Sequence, residues 1–268
     1  MYLYAISDRP GAPVPPGAAL EGMDGDPICL ISIAYRGIAA VVDPLAAVGR
    51  PTEDNLWRHE AVVEALMAEQ TVLPVRFGTL LADEAAVQAA LAAHYDEFVA
   101  DLRRLSGKIE LGLRVLWEED APASQISPAD RIVGRPGSGR AYVMTRLEQE
   151  RQIRAWRQRA EALASEIHIA MAQQAVETTY HVLTTPRTLL TAAYLVDREQ
   201  VPSFHRQVGT LSSDHPSLHF LFTGPWPPYS FVTVGRPGGV SQIDGKESKH
   251  ACSGRESSSE GKTAVRSG

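Results

Sequence analysis

The stretch that decides the fold is Lys108-Ile109-Glu110-Leu111-Gly112-Leu113-Arg114-Val115-Leu116-Trp117. Apolar side chains occupy every second position from Ile109 to Trp117, while Glu110, Gly112 and Arg114 fall on the other face. A period of two is typical of a β-strand with one buried face. Gly107, just before it, ends a helical pattern, so a new unit is predicted to begin at this strand.

Downstream of this strand, one long helix is predicted over Arg140–Val176, which contains neither Gly nor Pro and repeats its apolar residues at spacings of 3 and 4. A strand pair follows at Thr178–Thr185 and Leu189–Asp197, then a helix at Val201–Leu211 and a last strand from Leu218. The order strand-helix-strand-strand-helix-strand is that of a ferredoxin-like sandwich.

Upstream, the pattern predicts a modified relative of the same arrangement. Strands are expected at Tyr2–Ile6, Ile28–Ala34, Gly37–Asp43 and Thr71–Phe77, the second and third forming a hairpin. A helix is expected from Thr52 to about Gln70, with Leu56, Val63, Leu66 and Met67 on its apolar face. A second, continuous helix is expected from Asp83 to Gly107.

The fold class is therefore α+β in two domains. The boundaries are an N-terminal domain at 1–107, a C-terminal ferredoxin-like domain at 108–234 and a tail at 235–268. The tail has 7 Gly, 7 Ser, 10 charged and no aromatic residues, so it buries too little to offset the entropy of ordering. It is predicted to be disordered.

Composition excludes several classes of protein. The chain has 268 residues, 44% of them hydrophobic and 22% charged, with a net charge of -6. The mild acidity disfavours nucleic acid as a partner. No apolar run approaches the roughly 20 residues that span a bilayer, so a cytoplasmic protein without membrane contact is expected. The two cysteines, Cys29 and Cys252, are too few for a disulfide framework.

A search for catalytic signatures finds no Walker A loop, no G-x-S-x-G elbow and no H-E-x-x-H metal motif. No catalytic, cofactor-binding or metal-binding residue is therefore predicted, and no enzyme is expected. An alternative stays open, in which a ligand-binding protein or enzyme uses an anion-binding cleft between the domains. Its anion contacts would be Arg76 and the loop Gly134–Arg140.

Two segments contain residues whose burial or exposure would cost free energy unless a specific contact offsets it. The first places Arg76 and Phe77 at the end of a strand, where a buried arginine would need a structural ion pair. The second, Gly224-Pro225-Trp226-Pro227-Pro228-Tyr229-Ser230-Phe231-Val232, carries three aromatic side chains that need a surface to cover them. That surface is either the protein's own core or another chain. The candidate partner-binding residues are Arg76, Phe77, Trp226, Tyr229 and Phe231.

Together, Leu73–Thr79 and Gly224–Val232 resemble the paired signature of the gas vesicle protein F and L family (GvpF/GvpL). The resemblance extends to the opening Tyr2–Ile6 and over nearly the whole body. It implies an accessory and minor structural protein of gas vesicles, with no catalysis. It also implies that the chain contacts the major shell protein, GvpA, and other gas vesicle accessory proteins, and prevents shell subunits from aggregating before nucleation.

Overall fold

The structure is a computed structural model that describes residues 1–11, 20–22, 25, 28–45, 51–117, 139–185 and 187–234. This part of the chain forms two four-stranded antiparallel sheets and five α-helices, which confirms the α+β class. The strands are β1 (Tyr2–Ser7), β2 (Ile31–Tyr35), β3 (Ile38–Asp43), β4 (Val72–Pro74), β5 (Lys108–Trp117), β6 (Glu177–Thr185), β7 (Thr188–Asp197) and β8 (Leu218–Trp226). The helices are α1 (Glu53–Glu69), α2 (Glu84–Ala93), α3 (Tyr95–Leu105), α4 (Gly139–Ala172) and α5 (Val201–Asp214).

The N-terminal sheet has the strand order β2-β3-β1-β4. Every residue of β1 and β3 is buried, because helices cover both faces of the sheet. Tyr2 and Tyr4 pack on α1, whereas Leu3 and Ile6 pack on the side of α2 and α3. Strands β2 and β3 form the predicted hairpin around Arg36, whose φ of 52° suits the tight turn.

The C-terminal sheet has the strand order β6-β7-β5-β8, and all its neighbouring strands are antiparallel. Strand β5 alternates between buried and less buried residues along its length, as its sequence predicts. Its buried side chains pack against α4 and α5. The opposite face of this sheet carries no helix of its own in the described structure.

Two helices differ from the prediction. The predicted helix from Asp83 to Gly107 is two helices, α2 and α3, separated at His94, which has a ψ of 20°. The amide of Phe98 still donates to the carbonyl of His94, so the apolar spacing continues through the break. Because α2 packs against β2 and β3 and α3 against β4, the break lets each half follow its own part of the twisted sheet.

Helix α4 ends at Ala172 rather than at Val176, and only its second half packs on the sheet. From Trp156 onward one face is buried, whereas the side chains described before it are exposed or half-buried. At 1.5 Å per residue the 34 residues span about 50 Å, more than the sheet can cover.

The N-terminal half contacts the open face of the C-terminal sheet at one end. Leu195 of β7 is fully buried among side chains of α2, α3 and β1. Arg104 of α3 donates to Glu177 of β6 at 2.6 Å and 2.7 Å, and to Asp101 at 2.7 Å. Asp101 in turn accepts from the amide and hydroxyl of Thr233, at 2.7 Å and 2.9 Å. These bonds hold the final described segment across both halves.

Some predictions fall on residues that the structure does not describe. The tail at 235–268, which is predicted to be disordered, and the loop residues Gly134–Ser138 of the alternative anion cleft lie outside the described part of the chain. None of the described helices is both long and apolar enough to cross a membrane.

Candidate functional site

A pocket of about 530 Å³ lies where α1, the end of β4 and the end of β8 meet. It brings together four of the five candidate residues, Arg76, Phe77, Trp226 and Tyr229. The other lining residues are Glu53, Leu56, Trp57, His59, Glu60 and Glu110. Its volume falls within the range of sites that take small ligands.

A β-bulge places Trp226 in this pocket. Thr223 pairs with Gly112, but Trp226 pairs with Glu110, so β8 has one more residue than β5 in this interval. Without that extra residue, Trp226 would pair with Ile109 and point to the α4 and α5 side. The bulge includes Gly224, whose φ is +113° and whose added Cβ would lie 2.9 Å from the carbonyl of Glu110. A larger residue would not fit there.

A short 3-10 turn at Tyr229–Phe231 places Tyr229 beside Trp226. Both carboxylate oxygens of Glu110 hold this turn, accepting from the amide and from the hydroxyl of Ser230 at 2.7 Å each. Phe231, the fifth candidate residue, is 3% exposed and packs in the core with α2 and α3. The turn therefore directs one aromatic side chain into the pocket and buries another.

Helix α1 provides the opposite wall. Its N-cap is Thr52, whose hydroxyl accepts from the amide of Asn55, as the sequence predicts. The predicted burial of Leu56 is wrong: Leu56 is 47% exposed and Trp57 is 58% exposed. The residues that α1 buries are Asn55, His59, Val62, Val63 and Leu66. Two large apolar side chains on a helix surface beside a pocket are typical of a contact site.

Arg76 and Phe77 lie just beyond β4, which ends at Pro74 and is shorter than the predicted strand. Phe77 packs edge-on against Tyr2 and His59. Arg76 is exposed and forms no ion pair with any residue that the structure describes, so the structural ion pair proposed for a buried arginine is absent within this part of the chain.

His59 is a structural residue. Its Nδ1 accepts from the hydroxyl of Tyr2 at 2.8 Å and its Nε2 donates to the carbonyl of Val75 at 3.0 Å, which accounts for both ring nitrogens. The ring stacks on Tyr4 with centroids 5.3 Å apart. Burial lowers the pKa of His59 to about 4, so the ring is neutral at physiological pH. Neither nitrogen has a free position for catalysis or metal binding.

Glu60 and Tyr229 are buried polar groups of this pocket that interact with each other. Glu60 Oε1 and the Tyr229 hydroxyl are shielded from solvent and form no hydrogen bond of ordinary geometry with the described residues. Burial raises the pKa of Glu60, with the Glu64 and Glu110 carboxylates acting in the same direction and Tyr229 opposing them. Burial and the nearby Glu60 also raise the pKa of Tyr229 well above its ordinary value.

The pocket combines apolar walls with several charged groups. Its aromatic and aliphatic walls offer apolar area, and its charged groups comprise Arg76 and the carboxylates of Glu53, Glu60 and Glu110. In the described part of the chain, no three His, Cys, Asp or Glu side chains are grouped so that they could hold a metal ion. The sequence does not predict Leu56, Trp57, Glu53, Glu60 and Glu110 as site residues, and it places Leu56 on the buried face of its helix.

The chain and fold match a class of proteins that build gas vesicles. The family described as gas vesicle synthesis protein GvpL/GvpF matches residues 1–233, almost the whole described body. The chain therefore belongs to the GvpL/GvpF family, which confirms the resemblance read from the sequence.

Individual relatives agree with this assignment. Gas vesicle protein L of Streptomyces sp. (strain CB03234) is 32% identical over 271 residues, which cover 93% of this chain and 97% of the relative. Gas vesicle protein F of the same strain is 29% identical over 86% of this chain and 98% of its own length. The crystal structure of GvpF from Anabaena sp. PCC7120 has a TM-score of 0.69 and 22% identity, covering 88% of this chain and 96% of that chain. That likeness shows a shared fold.

Proposed function

We propose that this protein is a gas vesicle assembly accessory and minor structural protein. It binds the major shell protein, GvpA, and prevents shell subunits from aggregating while vesicles nucleate. Family membership supports the gas vesicle role. The observation that carries the binding role is the pocket, where Trp57 and Leu56 stand exposed beside Trp226 and Tyr229.

The physical need for such a partner follows from assembly itself. A subunit that associates through apolar surfaces and strand edges aggregates readily until those surfaces are covered. An aromatic pocket can cover an apolar side chain of that subunit and release it when a better-packed neighbour arrives. Tryptophan and tyrosine are the residues that contribute most energy to such contacts.

The proposal includes the location and the other partners. We expect the protein to act in the cytoplasm and on the gas vesicle, to contact other gas vesicle accessory proteins, and to carry no catalytic activity. The alternative, an anion-binding cleft that uses Arg76, has weaker support because three carboxylates line the pocket beside that one guanidinium. A metabolite panel that raises the melting temperature would favour the alternative.

We also propose a division of the chain near Gly107, with a ferredoxin-like C-terminal domain. The support is the strand order β6-β7-β5-β8 with α4 and α5 on one face. The fully buried β7 residue Leu195, which packs among N-terminal side chains, argues that the two domains associate through a permanent contact.

The test is co-expression of the tagged full chain with the shell protein, followed by pull-down and sedimentation. The wild-type chain should retain shell protein in soluble complexes. Trp57→Ala and Trp226→Ala should each reduce that retention several-fold, with unchanged circular dichroism. Tyr180→Ala is the matched control, because Tyr180 is an aromatic side chain 44% exposed on the distant β6. Equal retention by all four chains would exclude this pocket as the contact.

A further inference from the structure

The pocket contains a chemical preference that apolar contact alone does not explain. Glu60 Oε1 and the Tyr229 hydroxyl are both buried in its wall, close enough to interact with each other, yet neither forms a hydrogen bond of ordinary geometry with a described residue. A buried polar atom without a well-formed hydrogen bond destabilises the folded chain, and more so when it is charged. A ligand that supplies a donor to these two atoms recovers that cost.

The charges around these atoms specify the sign of such a ligand. The carboxylates of Glu53, Glu60 and Glu110 line the pocket, against one arginine, Arg76. Both Glu110 oxygens accept from Ser230 within the chain. Glu60 is therefore the carboxylate with a buried oxygen left for an incoming cation.

The walls suit the same ligand. Trp57, Phe77, Trp226 and Tyr229 surround the site with aromatic rings. Cations are attracted to the faces of aromatic rings, tryptophan most strongly, and the attraction grows when water is excluded. A planar guanidinium combines this stacking with several hydrogen bonds to a carboxylate, while its aliphatic stem packs on apolar surface.

We propose that this pocket receives one cationic side chain, best fitted by arginine, carried between apolar residues of the shell subunit. The guanidinium pairs with Glu60 and donates to the Tyr229 hydroxyl, and the flanking apolar residues cover Leu56 and Trp57. This inference rests on the proposed function, because it names the part of the shell subunit that the pocket binds.

Arg76 opposes the incoming charge from the exposed rim. Neutralising the two residues should therefore change the affinity for a cation in opposite directions. Loss of the Glu60 charge should lower this affinity, and loss of the Arg76 charge should raise it. Binding should also strengthen as pH rises through the acid range, since the cation pairs with ionised Glu60. Other charged or titratable groups near Glu60 are Glu53, His59, Glu64, Arg76, Glu110 and Tyr229.

The first experiment titrates the full chain with capped Ala-Leu-Arg-Leu-Ala, followed by tryptophan fluorescence. The matched control peptide replaces arginine by citrulline, which keeps the shape and removes the charge. The arginine peptide should bind at least about tenfold more tightly, since hydrogen bonds to ionised groups are the strong ones. Equal affinity for the two peptides, or no saturable binding of the arginine peptide, would overturn the inference.

Variants locate the effect. Glu60→Gln should lower the affinity for the arginine peptide about tenfold and remove the difference in affinity between the arginine and citrulline peptides. Arg76→Gln should raise the affinity for the arginine peptide a few-fold. Glu161→Gln, which removes one exposed carboxylate from α4, should change nothing and controls for net charge. An unchanged affinity in Glu60→Gln would overturn the assignment of Glu60.

Pull-down of co-expressed shell protein separates the two proposals. Retention by the wild-type chain that falls in Glu60→Gln supports both. Equal retention by the wild-type chain and Glu60→Gln leaves the proposed function standing and overturns the role of the cationic side chain. No retention by the wild-type chain contradicts the proposed function, and the titration alone then decides the chemistry of the pocket.

Discussion

The two sheets of this protein are covered in different ways. In β1 of the N-terminal sheet all six residues are buried, because α1 packs on one face and α2 and α3 on the other. In β5 of the C-terminal sheet every second residue is buried, because α4 and α5 cover one face. The second face of the C-terminal sheet carries no helix of its own among the described residues.

That difference explains where the candidate site lies. At one end of the open face, Leu195 packs under the N-terminal half and Glu110 holds the turn that carries Tyr229. The pocket forms at the border of that covered region, with α1 as its far wall. Helices cover both faces of the N-terminal sheet. The C-terminal sheet has one open face, and the pocket lies beside the place where the N-terminal half covers one end of that face.

Alanine substitutions of neighbouring residues in the two central strands should show the largest contrast. In β1, Leu3→Ala and Tyr4→Ala should each cost about 3–5 kcal/mol of unfolding free energy, because each opens a cavity on a different face. In β5, Leu113→Ala should cost a similar amount, but Arg114→Ala should stay within about 0.5 kcal/mol. Urea unfolding measures all four, and a stable Tyr4→Ala would refute the two-sided cover.

Removing Asp101 should break the contact through which the N-terminal half covers the open face. Asp101→Ala leaves the Thr233 amide without its buried acceptor and removes one of the two carboxylates that Arg104 binds, so a loss of about 1–3 kcal/mol is expected. Asp96→Ala, an exposed carboxylate on the same helix, is the control and should change stability by less than about 0.5 kcal/mol. Similar losses in both variants would mean that helix charge, not the buried pair, matters.

His59, which α1 buries against the N-terminal sheet, should make the free energy of unfolding fall in acid. The pKa of His59 is about 4 in the folded state and about 6.5 when unfolded, so the unfolded chain binds the extra proton between these values. The contribution of buried, neutral His59 to the free energy of unfolding is fully present above pH 6.5. It is lost as pH falls towards 4, and its upper limit is about 3 kcal/mol.

His59→Gln tests this by removing the titrating ring while keeping an amide that can donate to the carbonyl of Val75. Its stability at pH 7 should be lower, and its loss between pH 6.5 and 4 should be smaller than that of the wild-type chain. His168, whose pKa is also lowered by burial, adds a change of the same sign. His205→Gln, on the exposed face of α5, is the control. An identical pH profile in His59→Gln would contradict the assignment.

The smallest expected effects come from two glycines, one in strand β8 and one in helix α5. Gly224→Ala should cost about 1–3 kcal/mol, because its φ of +113° and its close approach to the Glu110 carbonyl exclude a side chain. Gly209→Ala should instead gain about 0.5–1 kcal/mol, because Gly209 lies inside α5 with open space around it. Thermal melts distinguish the signs, and a stabilising Gly224→Ala would disprove the tight bulge.

Much of the fold could be predicted because the periodicity of apolar residues follows burial. The β2–β3 hairpin, the Thr52 cap and the alternation in β5 all appear in the structure. The break at His94 could not be predicted, since it keeps the Phe98 to His94 hydrogen bond and therefore the spacing of apolar residues. Its cause lies in the sheet beneath, which the helix sequence does not contain.

The lining of the candidate pocket could be predicted in part, although its role is a proposal. Arg76, Phe77, Trp226 and Tyr229 were singled out from composition alone, and the structure groups them around one pocket. Phe231 was included for the same reason but lies in the core. The sequence does not predict Trp57 of α1 as a lining residue of the pocket. Helical spacing alone does not show which residues at the edge of an apolar face will contact another element.

The sequence by itself determined the α+β class, the order of its main elements and the family, since these follow from local patterning and from residue identities along the chain. Only the tertiary structure decided which aromatic residues are buried and which face the pocket. That outcome depends on one extra residue in β8, which turns Trp226 to the open face, and on the packing of two units against each other. Both depend on contacts between residues that lie far apart in the sequence, and their geometry is set by the whole fold.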